Sequence, residues 1–254
     1  MPVNIDHKKA EEIILKAHRS TCSKNNKITD GIKNILYGTH KTYKYILVNG
    51  ILSKASNNDA NPIALQAGAT LSGAFDARSL CHKVLVPFER DFLNNILGGS
   101  NEPFLNKPAR FTHLSKDNAV RKGKDKETLL LLIEIFSAIN NSTDAKDYLA
   151  CIFLILQEQI KEANKTFENV IGYSPELIEI YEFSLLFISK SFEGETSAII
   201  VGSLELLLHQ YMEGNYTVKT HKVNQSGASS KEVGDIDISR DGKFYYSIEV
   251  KDKN

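Results

Sequence analysis

The stretch from Asn215 to Asn254 limits what this chain can fold into more than any other, because it carries strand patterns with acidic residues at fixed places on them. Tyr216 to Val223 alternates and is rich in β-formers, and Val233 to Ile238 does the same. Phe244 to Val250 is almost continuously apolar or aromatic. Between the last two lies Arg240-Asp241-Gly242-Lys243, a hairpin signal in which Gly is available for a positive φ. The pattern predicts three strands, the last two forming a hairpin.

The charges on that hairpin have a predictable arrangement. Residues two apart on a strand point to the same face, so Glu249 and Lys251 share one. A three-residue turn centred on Gly242 sets Asp235 directly across from Glu249, and Asp237, two residues on, shares the face. Opposed side chains in an antiparallel pair come within roughly 5 Å. Carboxylates that close repel one another. A hard divalent cation relieves the repulsion, and oxygen ligands select Mg²⁺, Mn²⁺ or Ca²⁺. The Lys251 ammonium beside them can hold a water or an anionic substrate oxygen.

Composition narrows the setting. Of 254 residues, 42% are hydrophobic and 24% charged, the balance of a soluble globular protein. No apolar run is long enough to span a bilayer, and the N-terminus has no apolar signal core. Cys22, Cys81 and Cys151 are far apart, so the expectation is reduced thiols, a cytoplasmic protein and no zinc site. Formal net charge is zero, which leaves nucleic-acid binding to a local basic surface. One exists: from Lys107 to Lys126 the charge is +5, with Arg110, Lys116, Arg121, Lys122 and Lys124 among its cations.

Upstream, the pattern is helical. Helices are expected over Asp6–Arg19 with Asp6 as cap, from Thr29 or Asp30 to Tyr37, over Lys41–Ala55 (with a strand reading open at Tyr45–Val48), and over Ile63–Ala69. Asp76–Leu85, Arg90–Leu97, Lys126–Ile139 and Asp144–Asn164 follow. Ser174-Pro175-Glu176 caps a helix to Ser189, Phe192–Glu195 is a linker, and Thr196–Met212 is the last helix. Gln225 to Ser230 reads as a flexible loop able to close over a phosphate backbone. The Gly98-Gly99-Ser100-Asn101-Glu102-Pro103 stretch cannot be regular structure. Around it stand Arg78, His82, Lys83, Arg90, Arg110 and His113, which with Arg121 and Lys122 make a candidate DNA-gripping surface.

The acids and the lysine, Gly234-Asp235 followed by Glu249-Val250-Lys251, resemble the PD-(D/E)xK nuclease superfamily, with Gly234 where a Pro is often found. Ala64–Ala69, Phe75–Val84, Pro87–Arg90, Leu97–Phe104 and Pro108–Phe111 resemble bacterial type II restriction endonucleases of the SacI family. The resemblance implies Mg²⁺-dependent hydrolysis of phosphodiester bonds in double-stranded DNA at a short specific site, by a homodimer. It implies Asp235 and Glu249 as metal ligands and Lys251 as the group that orients or activates water. Asp237 competes for the ligand role, and Glu205, on the helix before the first strand, is a candidate further ligand. His209 and His221 are read as structural or DNA-contacting.

The fold expectation is α+β, with a mostly helical recognition or scaffold region over 1–193 and a partial nuclease core over 194–254. The superfamily continues past this hairpin with a helix and a strand, so the expectation is an incomplete core with weak or no activity. Two explanations stand: a fragment, or a sheet completed by another chain. The competing function is a non-catalytic helical module that binds DNA or a protein and carries the hairpin as a remnant.

Overall fold

A computed structural model describes residues 2–22, 24–171, 177–189, 195–221 and 233–251. The architecture is α+β, and the chain divides into two compact units, Met1–Asn169 and Val170–Asn254. The expected cap at 174–176, the linker residues 192–194 and the loop 225–230 lie outside the described residues. No helix among the described residues is long and apolar enough to cross a membrane.

The first unit is built around α3 (Lys41–Ser56). Tyr43 and every residue from Tyr45 to Ser53 are buried, so α3 has no solvent-facing stripe. A helix apolar all round belongs in a core, and α1 (His7–His18), α4 (Ala77–Leu80) and α6 (Lys124–Ala138) pack on it. In α1, Ala10, Ile14 and Ala17 recur at helical spacing and are buried, and the Asp6 carboxylate caps the N–H groups of Lys8 and Lys9. α2 (Lys27–Tyr37) starts earlier than the sequence suggested. Its cap is Asn26, whose side-chain oxygen accepts from Ile28 and Thr29 while its own backbone stays extended. α7 (Ser142–Ile171) buries Leu149, Ile152, Phe153 and Leu156 along its first half.

Three further expectations are corrected. Ile63–Ala69 is not a helix. The carbonyls of Ile63, Ala64 and Leu65 accept from Leu114, Phe75 and Ala77, and the Gln66 N–H donates to Thr112, so distant strands of chain take the groups a helix would use. The segment 77–92 is one continuous helix, α4, a π turn over Cys81–Leu85 and α5 (Val86–Phe92). Pro87 explains the π turn: proline cannot donate and crowds the carbonyl four residues back, and here the Val86 N–H reaches five back, to Cys81. Arg90–Leu97 is therefore not a separate helix, and the chain turns at Asn94 and Asn95, both at positive φ. Third, Cys22 and Cys151 form a disulfide, with Cα atoms 4.5 Å apart across 129 residues of sequence, while Cys81 is free and buried. The spacing in sequence hid that the connector after α1 lies against α7.

A buried carboxylate organises the irregular part of this unit. Glu89, on α5, is 1% exposed. Its Oε1 accepts the N–H groups of Leu97, Gly98 and Gly99 at 2.9, 3.1 and 3.1 Å, and its Oε2 accepts the Tyr45 hydroxyl at 2.7 Å. The Tyr45 oxygen in turn accepts the Ser100 N–H at 2.8 Å. Four consecutive amides of a glycine loop are thus satisfied by two side chains from the core. Burial and the neighbouring Glu89 charge raise the Tyr45 hydroxyl well above its ordinary range.

The second unit holds α8 (Leu177–Ile188), α9 (Glu195–Gln210) and an antiparallel sheet of β1 (Tyr216–Thr220), β2 (Ile236–Arg240) and β3 (Lys243–Ile248), in that order. α9 packs on β1. Gly202 permits the approach, since a Cβ there would run into Thr220 Cγ2. Ile236 and Ile238 are buried.

Replacing Glu89 by Ala leaves three amides and a hydroxyl without their acceptor. A loss of about 3 kcal/mol in unfolding free energy is expected by urea denaturation at neutral pH. A loss below about 0.5 kcal/mol, the scale of an ordinary surface change, would refute the role given to Glu89.

Candidate functional site

The hairpin reaches the register expected from the sequence by a different route. The turn has two residues, Asp241 at φ 52° and Gly242 at φ 76°, the conformation that Asp-Gly favours. It pairs Arg240 with Lys243 and Ser239 with Phe244. Carried on unbroken, that count would set Asp235 against Ile248. Instead Ile238 pairs with Tyr246, so Tyr245 is an extra residue and the register shifts by one. From there Asp237 opposes Ser247 and Ile236 opposes Ile248. The next position in the same count sets Asp235 opposite Glu249.

Hydrogen bonds separate the two aspartates. Asp235 accepts the Val250 N–H on Oδ2 at 2.9 Å, and its own carbonyl accepts from the His221 N–H. Among the described residues, no hydrogen bond reaches Asp235 Oδ1. Glu249 and Lys251 are exposed. Asp237 is more committed: its Oδ2 lies 3.0 Å from His221 Nε2 and accepts the Val233 N–H at 3.1 Å, and its Oδ1 accepts the Gly234 N–H at 3.2 Å. Asp237 therefore pins the turn that leads into Asp235, and its side chain is 14% exposed. Among the described residues, no three His, Cys, Asp or Glu side chains are grouped so as to hold a metal ion. Asp235 and Glu249 are oxygen donors of the kind a hard cation takes, since Mg²⁺ keeps several waters and needs one or two carboxylates.

Glu205 lies elsewhere. It sits on α9, and its Oε2 accepts the Tyr246 hydroxyl at 2.6 Å and lies 3.4 Å from His209 Nδ1. Tyr246 opposes Ile238, on the face that α9 covers. By strand alternation Asp235 and Asp237 belong to the other face. Glu205 is thus drawn to the helix side of the sheet, in a network with Tyr246 and the buried His209. Burial, and then the Glu205 carboxylate, push the Tyr246 hydroxyl up to about 12. The sequence reading missed Tyr246, whose hydroxyl stands between those of Tyr245 and Ser247 and carries no signal of its own in the pattern of β3.

In the first unit, Arg78, His82, Lys83, Arg90, Arg110, Arg121 and Lys122 are all exposed, and His113 is half-buried. Arg90 pairs with its neighbour Asp91 at 2.9 Å, and His113 Nδ1 meets Thr112 Oγ1 at 3.3 Å. The Arg121 N–H is accepted by the buried Asp125 carboxylate, which anchors the start of α6. Arg78 and Arg110 line one cleft of about 430 Å³, with Gln66, Asp76 and Leu105. Arg121 lines a second, of about 270 Å³, with His40, Lys41 and Lys107. The structure gathers Arg78 and His82 around one acid the sequence reading did not single out, Glu102.

The profile of the SacI restriction endonuclease N-terminal domain matches residues 7–160, and that of the SacI restriction endonuclease C-terminal domain matches residues 174–254. The chain belongs to the SacI restriction endonuclease family. None of the curated proteins compared with it matches. The two matches meet in the segment where the structure divides into its two units. The hairpin with Asp235, Glu249 and Lys251 falls in the C-terminal match, and the cationic surface falls in the N-terminal one.

Tyr246 gives the α9–sheet network a spectroscopic handle. Its folded-state value stands above the ordinary 10.0, so the unfolded chain releases this proton first. The network's contribution to stability is complete below pH 10 and is lost as pH rises towards 12. Subtracting the alkaline tyrosinate titration of Tyr246→Phe from that of the native chain, which has ten tyrosines, isolates one late-ionising group. A difference curve centred near pH 10 would contradict the Glu205 contact.

Proposed function

We propose that this chain is a Mg²⁺-dependent type II restriction endonuclease that cuts phosphodiester bonds at a short specific site in duplex DNA. The observation that supports the proposal is the hairpin register, which pairs Ile236 with Ile248 and, carried on by one position, would put Asp235 opposite Glu249 with Lys251 two residues on. It lies within a match to the SacI C-terminal domain, and the family is one of restriction endonucleases. In this reading residues 1–193 are the recognition and scaffold region and 194–254 the catalytic one.

Asp235, through Oδ1, and Glu249, through its exposed carboxylate, would hold one hard cation. Bound there, Mg²⁺ supplies Lewis-acid polarisation of the phosphate and charge neutralisation at the leaving oxygen. The Val250 N–H holds Asp235 Oδ2, which fixes the direction in which Oδ1 points. Lys251, on the face of Glu249, positions the attacking water and offsets the charge that builds on the phosphate. Asp237 keeps the entry to β2 in place through Val233 and Gly234, and Glu205 buttresses the sheet from the α9 side. The exposed cations of the first unit grip the phosphate backbone. A homodimer matches a palindromic site. α9 exposes Leu204, Leu207 and Leu208, and Tyr211 just beyond its end is exposed too, an apolar surface that a second copy would cover.

The deciding experiment is digestion of a long mixed-sequence duplex by the purified chain with magnesium, beside EDTA and Lys251→Ala controls. Discrete fragments are expected with the native chain, none with EDTA, and at least about 100-fold slower cutting with Lys251→Ala, while DNA binding is retained. Fragments that persist in Lys251→Ala would overturn the assignment of that residue. Binding without any cutting would favour the non-catalytic module.

A further inference from the structure

Arg78 and Glu102 form a pair whose geometry goes beyond a surface ion pair. Arg78 Nε donates to Glu102 Oε2 at 3.2 Å and Arg78 Nη2 to Glu102 Oε1 at 3.3 Å. The bond is bidentate and uses the side edge of the guanidinium. A guanidinium has five N–H donors in a rigid plane. With the Nε/Nη2 edge taken, the end edge, Nη1 and the second hydrogen of Nη2, makes no hydrogen bond to the described residues. The side chain of Arg78 is 56% exposed and that of Glu102 30%.

Both ends of the pair are anchored. Arg78 sits in α4 between the buried Ala77 and Leu80. Glu102 precedes the short turn Pro103–Leu105, in which Pro103 and Phe104 are buried. Its Oε1 also faces His82 Nδ1 at 3.6 Å, and that ring meets the Asn101 carbonyl at 3.3 Å. Upstream, Glu89 and Tyr45 fix residues 97–100, so the chain arrives at Glu102 already ordered. Arg78 lines a cleft together with Gln66, Asp76, Leu105 and Arg110.

We propose that Arg78, braced by Glu102, reads a guanine in the major groove of the substrate, with Glu102 as its positioning residue. This rests on the reading of the chain as a DNA-binding restriction enzyme and names a base-contacting residue within it. Two physical arguments select a base edge over a phosphate. The pair is electrically neutral, and a carboxylate beside the guanidinium repels a phosphate, so the pair makes a poor backbone clamp. Guanine presents two acceptors side by side, O6 and N7, which match two parallel N–H donors on one guanidinium edge, and a guanidinium held in a fixed plane selects them over adenine, whose N6 is a donor. Lone exposed cations such as Lys83, Arg110 and Lys122 suit the backbone better.

The test is selection of duplexes randomised at their centre, by binding to the full chain in EDTA, followed by sequencing of the enriched pools. The native chain is expected to enrich a motif with a fixed G·C pair. Arg78→Lys keeps the charge and loses the fork, and is expected to lose about 10-fold or more of the preference at that one position while the others hold. Glu102→Gln is expected to relax the same position, and to change nothing further when combined with Arg78→Lys. A merely structural role for Glu102 would weaken all positions together. The proposal is overturned if Arg78→Lys enriches the native motif unchanged, if Arg78→Ala lowers binding evenly over all sequences with a salt slope smaller by about one, or if the native chain enriches no motif. A native chain that enriches the motif but never cuts DNA would leave the Arg78 assignment standing and remove the nuclease reading instead.

Discussion

Side chains alternate along a strand, so a shift of one residue in pairing exchanges every side chain between the two faces, and in this sheet that shift is set by Tyr245. The two-residue turn at Asp241-Gly242 starts the hairpin one residue out of step, and the bulge restores it. Without the extra residue, Asp235 would oppose Ile248, and the acids of β2 would no longer share a face with Glu249 and Lys251. The apolar partners would be displaced as well, since Ile236 with Ile248 and Ile238 with Tyr246 make the side that α9 covers. Core packing and the placement of the acids therefore depend on the same inserted residue. Bulges commonly re-aim side chains beside active sites, and this one acts at a distance, by changing the count of everything that follows.

The first unit relies on a comparable constraint. The loop after α5 contains two consecutive glycines and could take many conformations. Glu89 and Tyr45 reduce these to one by accepting four successive amides. A buried charge is costly unless it is fully hydrogen-bonded, and here the loop supplies the donors that make burial of Glu89 tolerable. The requirement is mutual: the acid needs the loop closed, and the loop needs the acid inside. The ordered chain continues directly to Glu102 and so to the plane of Arg78. The exposed Arg78 guanidinium is thus tied, through Glu102, the ordered loop and Tyr45, to the buried part of α3.

Much of this was legible in the sequence because periodicity reports burial. The α+β arrangement, α1 with its Asp6 cap, α3 as a helix, and the three strands all follow from spacing and turn chemistry. Two of the failures share a cause: groups satisfied from far away in the chain. Ile63–Ala69 has helical composition, but its carbonyls serve residues 75, 77 and 114, which no local pattern reveals. The Cys22–Cys151 bond joins positions 129 apart. The π turn before Pro87 hides a helix that runs through a proline. The turn was misjudged by one residue, and the bulge, equally invisible, cancelled the error. At the candidate site, the sequence puts Asp235 and Glu249 ahead of Asp237 and Glu205, yet it says nothing of which oxygens are already bonded, because strand alternation gives direction and not hydrogen-bond partners.

That distinction is the more general one. An acidic side chain does chemistry only with the lone pairs that the fold has not already used. Glu89 has both oxygens occupied by amides and a hydroxyl, Glu102 has both on Arg78, and Asp237 is shared among two amides and an imidazole. Glu205 spends one oxygen on Tyr246 within the network under α9. Each of these acids fixes a piece of backbone or another side chain. Asp235 gives one oxygen to a single amide, and Glu249 stands exposed across from it. Among the described residues of the sheet, these two keep carboxylate oxygens uncommitted, and the register carried one position past Ile236 and Ile248 would set them opposite one another, which is why they lead the proposed metal site.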